Sequence, residues 1–162
     1  MALFLKNLLF TVIAPGTLAV YVPLTIAAGR PLATGAAAAL AAIVFAAGAA
    51  IYLWCLWDFA TFGRGTPAPI DPPRKLVIRG LYRYVRNPMY VGVLTMILGW
   101  VLCFPARDLA LYGLVVAAGF HLFVVLYEEP ALRRRFGPEY DEYRARVGRW
   151  LPRLRPAKGN AR

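Results

Sequence analysis

The sequence has little of what soluble enzymes usually build their sites from. Its 162 residues hold one histidine, His121, and two cysteines, Cys55 and Cys103, both inside apolar runs. Neither cysteine has a Cys or His neighbour at metal spacing, which argues against a zinc site and a disulfide framework; no metal is expected. No glycine-rich strand–helix fingerprint for a dinucleotide is present. Charge is scarce, at 17% of residues, and acids are scarcer still, with 8 Asp+Glu against 19 Lys+Arg. What fills the chain is apolar: 60% of it is hydrophobic and 14% aromatic. That excludes disorder. It also exceeds what a soluble domain of this size can bury, so lipid is the expected solvent for much of the chain. In such a chain the net charge of +11 marks segments beside anionic lipid headgroups, and no nucleic-acid partner is expected.

Four stretches without any charge, 7–29, 31–57, 87–106 and 109–127, each have 19 residues or more. A helix needs roughly 20 to cross the hydrocarbon core, and only helices satisfy their own backbone there. The expected fold is therefore all-α: four transmembrane helices in two hairpins, plus a cytoplasmic C-terminal amphipathic helix. The first run reads as an uncleaved helix, since it is long, contains Pro15 and Pro23, and follows only Lys6. Basic residues divide 17 to 2 between the N-terminus, middle loop and tail on one side and the two short loops, with Arg30 and Arg107, on the other. The positive-inside rule then places both termini in the cytoplasm, as in a multi-pass protein of a bacterial inner membrane. Trp54 and Trp57, with Trp100 and Tyr112 toward the other face, suit interfacial belts. The second run is rich in Gly and Ala, which is a helix-packing signal. Asp108 is an expected N-cap of the fourth helix.

The informative residues crowd the cytoplasmic boundary. Residues 63–73 form a Pro/Gly segment that cannot be helical throughout. Basic and aromatic residues then alternate up to Arg86-Asn87-Pro88, where Asn87 suits an N-cap and Pro88 a first helical turn. The free N–H groups there, with Arg86, favour an anion. A collar of arginines snorkelling to lipid headgroups is the plainer reading. At the other end of this hairpin stand Glu128-Glu129-Pro130. Two acids at a membrane boundary need partners: arginines of the collar or tail, or a bound cation. Pro130 is expected to bias Glu129 away from helical geometry. The two helices are antiparallel neighbours, so the two ends share a side and together suit a zwitterion. Gly137 reads as a break and Pro138 as a new helix start, with Tyr140, Tyr143, Val147 and Phe136 on one face. His121 is expected to make a helix–helix hydrogen bond, and Asp58 to meet an arginine of the collar.

The run Gly80-x-Tyr82-x-x-x-Arg86-Asn87-Pro88-x-Tyr90-x-Gly92, followed by Glu128-Glu129-x-x-Leu132-x-x-x-Phe136-Gly137-x-x-Tyr140-x-x-Tyr143, resembles the integral-membrane methyltransferases. These include isoprenylcysteine carboxyl methyltransferase and phosphatidylethanolamine N-methyltransferase. The resemblance implies S-adenosylmethionine (SAM) as donor, bound without a Rossmann domain at the cytoplasmic ends of the last two membrane helices. Carried over by position, Tyr82, Arg86, Asn87, Pro88, Tyr90 and Gly92 would line the cofactor pocket from one side. Glu128 and Glu129 would line it from another, one of them taking the methionine ammonium or ribose, and Tyr140 and Tyr143 would close it. Glu129 and Arg144 are the expected catalytic pair, Arg144 holding a phosphate or carboxylate of the acceptor. The family often has His where this chain has Asn87, so position 87 can bind but cannot serve as a base. An amine acceptor would need Glu128, Glu129 or water. The implied partners are membrane lipids and a lipophilic acceptor, a phospholipid amine or the carboxylate of a prenylated thiol compound; no oligomeric state is implied. The alternatives are an NADPH-dependent reductase of sterol-reductase layout and a non-catalytic lipid-binding subunit. On this reading 1–152 is one domain, with 77–152 its cofactor-binding half, and 153–162 is a disordered basic tail.

Overall fold

The computed structural model describes residues 2–63, 76–153, 157 and 159. Among these the chain is helical, with no strand and a single parallel bridge between Val85 and Gly148. Seven α-helices follow in order: α1 (Ala2–Gly16), α2 (Val22–Ala27), α3 (Gly35–Asp58), α4 (Pro88–Cys103), α5 (Arg107–Phe123), α6 (Glu129–Phe136) and α7 (Pro138–Arg146). The Pro/Gly segment expected at 63–73 lies almost wholly outside the described residues.

Three helical runs are long and apolar enough to cross a membrane: Leu9–Ala27, Gly35–Thr61 and Arg107–Phe136, of 19, 27 and 30 residues. Helix α4 has only 16 residues. At about 1.5 Å per residue it spans ~24 Å, short of a ~30 Å core. The outward faces are apolar, with Ile43, Leu114, Val115 and Leu126 among the most exposed side chains. Side chains left in solvent by a folded chain in this number fit a lipid surround.

Two of the long runs stay continuous through π-helical turns, Thr17–Tyr21 before Pro23 and Val124–Glu128 before Pro130. A proline lacks an N–H and crowds the preceding turn; one extra residue in that turn makes room for it. Glu129 is accordingly helical (φ −60°, ψ −45°), contrary to the expected distortion. In the first turn the carbonyls of Leu18 and Ala19 take hydrogen bonds from Tyr112 Oη and Trp100 Nε1, both 2.8 Å. The two aromatics thus satisfy backbone that has no water to turn to.

The most extensive packing is between α3 and α4, across the middle loop and not within either hairpin. The small residues of α3 explain it. A Cβ on Gly48 would lie 2.6 Å from both Gly92 O and Met96 N, and one on Gly99 would meet the Phe45 backbone at 3.0 Å. The backbones touch because nothing stands between them. Asp108 does not cap α5: its N-cap is Ala106, and Asp108 pairs instead with Arg30 across the two short loops.

The C-terminal part wraps back on the start of α4. Arg86 N donates to Gly148 O (2.8 Å), Arg153 N to Tyr84 O (3.0 Å) and Ala157 N to Arg83 O (3.0 Å). Arg83 Nε returns a bond to Ala157 O (2.9 Å), and Ala157 is buried. Arg153 and Ala157 are therefore tied to the segment before α4. Tyr140, Tyr143, Val147 and Ala157 form a second small core with Leu76, to which Phe136 and Leu132 add. Gly137 (φ 52°, ψ −128°) breaks the chain between α6 and α7, in a conformation open to glycine and few others.

Candidate functional site

The start of α4 and the Glu128–Glu129 junction of the α5–α6 run meet under the 147–153 segment. The buried Glu129 carboxylate is the centre. Arg86 Nη1 approaches its Oε1 at 3.2 Å, and Arg149 grips both oxygens, Nε to Oε1 at 2.6 Å and Nη2 to Oε2 at 3.0 Å. The two-pronged contact is the strong form of this pair, and it pushes the Arg149 pKa up from its ordinary value. Arg86 also reaches Tyr140 Oη at 3.4 Å. Its Nε is buried with no hydrogen-bond partner.

Next to this triad, Tyr90 Oη donates to Glu128 Oε2 at 2.8 Å. Among the described residues Glu128 makes no ion pair, since both nearby arginines go to Glu129. Asn87 begins α4 as expected, but its side chain does not cap the helix. Its Nδ2 donates to Arg149 O (3.1 Å), fixing the residue that grips Glu129. Tyr143 Oη donates to Tyr82 O at 2.7 Å from a buried position. Burial pushes the Tyr140 and Tyr143 phenols above their ordinary range, and the Glu129 charge adds to this at Tyr140, so both stay neutral.

An aromatic group adjoins the carboxylates. Tyr90 packs on Phe120 (centroids 4.7 Å apart) and on Trp150 (6.4 Å). Trp150 Nε1 donates to His121 Nδ1 at 3.2 Å, so the partner of the one histidine is a loop tryptophan and not a neighbouring helix. Trp150 and His121 join Val91, Leu94, Leu98 and Ala117 around a cavity of about 390 Å³ between α4 and α5. It extends along the helices from the level of Tyr90, with mainly apolar walls. No group of three or more metal-binding side chains occurs among the described residues.

The phospholipid methyltransferase family model matches residues 36–139, which is more than half of the chain. The chain belongs to the phospholipid methyltransferase family. It is also similar to a probable protein-S-isoprenylcysteine O-methyltransferase of Oryza sativa subsp. indica, 39% identical over 51% of this chain and 43% of the relative. A protein-S-isoprenylcysteine O-methyltransferase B of Arabidopsis thaliana is 38% identical over 48% of this chain and 40% of its own. The matches thus span less than half the length of these relatives. Both are plant proteins and lend the bacterial location no support. No solved structure matches the chain.

Within this family assignment the site residues sort themselves. Arg86, Tyr90, Glu128, Glu129 and Tyr140 come together in one cluster. Asn87, Tyr82 and Tyr143 brace it from behind. Two expected pocket residues point elsewhere. Gly92 is packed against Gly48 of α3, roughly opposite Tyr90 on the same helix, and the Pro88 side chain is fully buried at the helix start. Arg144 is exposed and makes no described ion pair; only its charge reaches Glu129. The arginine that grips Glu129 is Arg149, five residues on. Sequence reasoning passed over it and Trp150. Their signal was faint: a Gly-Arg-Trp step just past the last helix, where the chain must turn back.

Proposed function

We propose that the chain is a membrane-embedded methyltransferase that uses SAM at the cytoplasmic face, with both termini on that side. Helix α4 completes four spans, and 1–152 works as one domain with 77–152 its catalytic half. One observation carries the reading: a cationic and an anionic group, each left short of a partner, stand side by side where α4 meets the α5–α6 run. The donor's methionine end is a zwitterion and needs one of each. The buried, unpartnered Arg86 Nε suits the carboxylate. Glu128, outside any described ion pair, suits the ammonium. This shifts the binding role from Glu129 to Glu128. Glu129 becomes a positioning residue that holds Arg86 and Arg149 in place.

When bound, SAM supplies an activated methyl group on a sulfonium, so the protein's work is alignment and exclusion of water. Trp150, Tyr90 and Phe120 form the dry wall. The cavity between α4 and α5 offers an apolar chain a place beside it. On this reading both carboxylates are taken, Glu129 by its two arginines and Glu128 by the donor's ammonium, and Asn87 stands where a histidine could have taken a proton. An acceptor that is already an anion needs no base. The site therefore favours a lipophilic carboxylate, as in the relatives' isoprenylcysteine, over a phospholipid amine.

Two assays test this. Protein in lipid vesicles, given methyl-labelled SAM and a prenylated cysteine, is expected to move label into the organic extract as a base-labile ester. Folded protein that leaves the extract unlabelled contradicts the proposal. Glu128→Gln removes a charge-assisted contact of ~1.5–3 kcal/mol and is expected to weaken SAM binding tenfold or more. Arg133→Gln, at an exposed pair with Asp141, is the control. Equal affinities for the two variants would return the binding role to Glu129.

A further inference from the structure

His121 has no part in the carboxylate cluster. It stands on α5, inside the membrane-spanning run, and at about 1.5 Å per residue lies ~10 Å along the helix from Glu128. A polar ring at that depth is costly unless it is bonded. Its described hydrogen bond runs to no helix: Trp150 Nε1 donates to its Nδ1 at 3.2 Å. An indole nitrogen can only donate, so Nδ1 is the nitrogen that carries no proton. The need is mutual. Trp150 comes from the segment after α7 and reaches in between membrane helices, where its N–H requires a protein acceptor.

Trp150 stands where two regions meet. It is the lining residue of the 390 Å³ cavity that belongs to neither α4 nor α5. The same ring packs on Tyr90, whose hydroxyl bonds Glu128. The Thr95 hydroxyl, also at the cavity, is spent on Val91 O at 2.8 Å. A molecule with its chain in the cavity and its polar end at the carboxylate cluster therefore passes Trp150. There it finds the indole N–H and the Thr95 hydroxyl already bonded, which suits hydrocarbon and offers a polar chain nothing.

The 148–150 segment is fastened differently along its length. Gly148 O takes Arg86 N, and Arg149 is held at its carbonyl by Asn87 and at its guanidinium by Glu129. Those bonds fix backbone and an ion pair. Among the described residues, the bond to His121 is the one hydrogen bond on the Trp150 side chain.

We propose that Trp150 positions the acceptor's apolar chain between the cavity and the carboxylate cluster, and that His121 is a positioning residue acting through it. This rests on the reading of the cavity as the acceptor's place. With the bond made, the ring is held between Tyr90 and His121 as part of the cavity wall. Without it, the N–H is drawn toward water at the membrane boundary and the wall loses that piece.

The test titrates the full chain in lipid nanodiscs with S-farnesylcysteine in the absence of SAM, and separately with SAM, against empty nanodiscs. His121→Leu, at an exposed position within the spanning run, is expected to weaken farnesylcysteine binding about fivefold, the worth of one neutral hydrogen bond, and to leave SAM affinity unchanged. Trp150→Phe keeps a ring without the N–H and is expected to match it. The double variant is expected to cost no more than either single one, because both break the same bond. His121→Asn, whose side-chain oxygen can stand where Nδ1 stands, is expected to restore most of the affinity. A general loss of structure gives neither that rescue nor that non-additivity. Wild-type farnesylcysteine affinity in His121→Leu overturns the proposal, as do additive costs in the double variant or an equal fall in SAM affinity. A wild type that binds farnesylcysteine but not SAM leaves the proposal standing and removes the donor reading alone. One that binds SAM but not farnesylcysteine overturns the proposal and leaves the donor reading in place.

Discussion

Glu129→Ala is expected to lower the unfolding free energy by about 3 kcal/mol, the low end for breaking a buried ion pair. The loss falls on two arginines at once. Arg86 has a side chain only 9% exposed and cannot reach water without moving the start of α4. Arg149 is one-third exposed and can turn outward, which is why the low end applies. The same substitution frees the 148–150 segment from its anchor, so SAM affinity is expected to fall with stability. Arg133→Ala breaks a pair exposed at both ends and is expected to cost less than ~0.5 kcal/mol. Denaturant titration in detergent compares the two. A Glu129→Ala cost no larger than that of Arg133→Ala would show that the triad does not hold this part of the molecule together.

Gly48→Leu is expected to have the largest effect on the membrane core, more than ~3 kcal/mol, above the usual overpacking cost. Ordinary overpacking displaces side chains. Here a Cβ alone would stand 2.6 Å from two backbone atoms of α4, and neither can rotate away. The helices would have to separate, and with them the contact between Gly92 and α3 that sets the angle of α4. Because α4 carries Tyr90 and begins two residues after Arg86, the site would be disturbed from a distance. Gly119→Leu, at a glycine with open space around it, is the matched control. Thermal unfolding in detergent reads the difference, and equal midpoints for the two variants would contradict the packing argument.

How much of this was legible in the residues follows from what kind of force placed them. Long apolar runs announce membrane helices, and three of the four are long enough in the structure; the fourth is shortened because Phe104 leaves helical geometry, ending α4 at Cys103. The partnership of Arg86 with Glu129 follows from antiparallel neighbours carrying opposite charges at one boundary. The break at Gly137 and the shared face of Tyr140 and Tyr143 follow instead from residue type and helical spacing. Tertiary contacts were another matter. Position alone makes Gly92 look like part of the cofactor motif; only the proximity of Gly48 shows it serving the helix contact. Arg144 and Arg149 are equally plausible as arginines in a basic tail. The bonds from Arg86 N to Gly148 O and from Asn87 Nδ2 to Arg149 O decide between them, and no pattern in the sequence encodes those. The π-helical turn before Pro130 is hidden for the same reason: it is the helix's answer to a proline that neighbours hold in line.

The most direct test of the account is calorimetric titration of SAM into the purified chain in lipid nanodiscs, with NADPH as the comparison ligand. Saturable binding of SAM with no heat from NADPH is the predicted result. Binding of NADPH, or of neither ligand by protein shown to be folded, would contradict the assignment of the Arg86–Glu128–Glu129 cluster to a methyl donor.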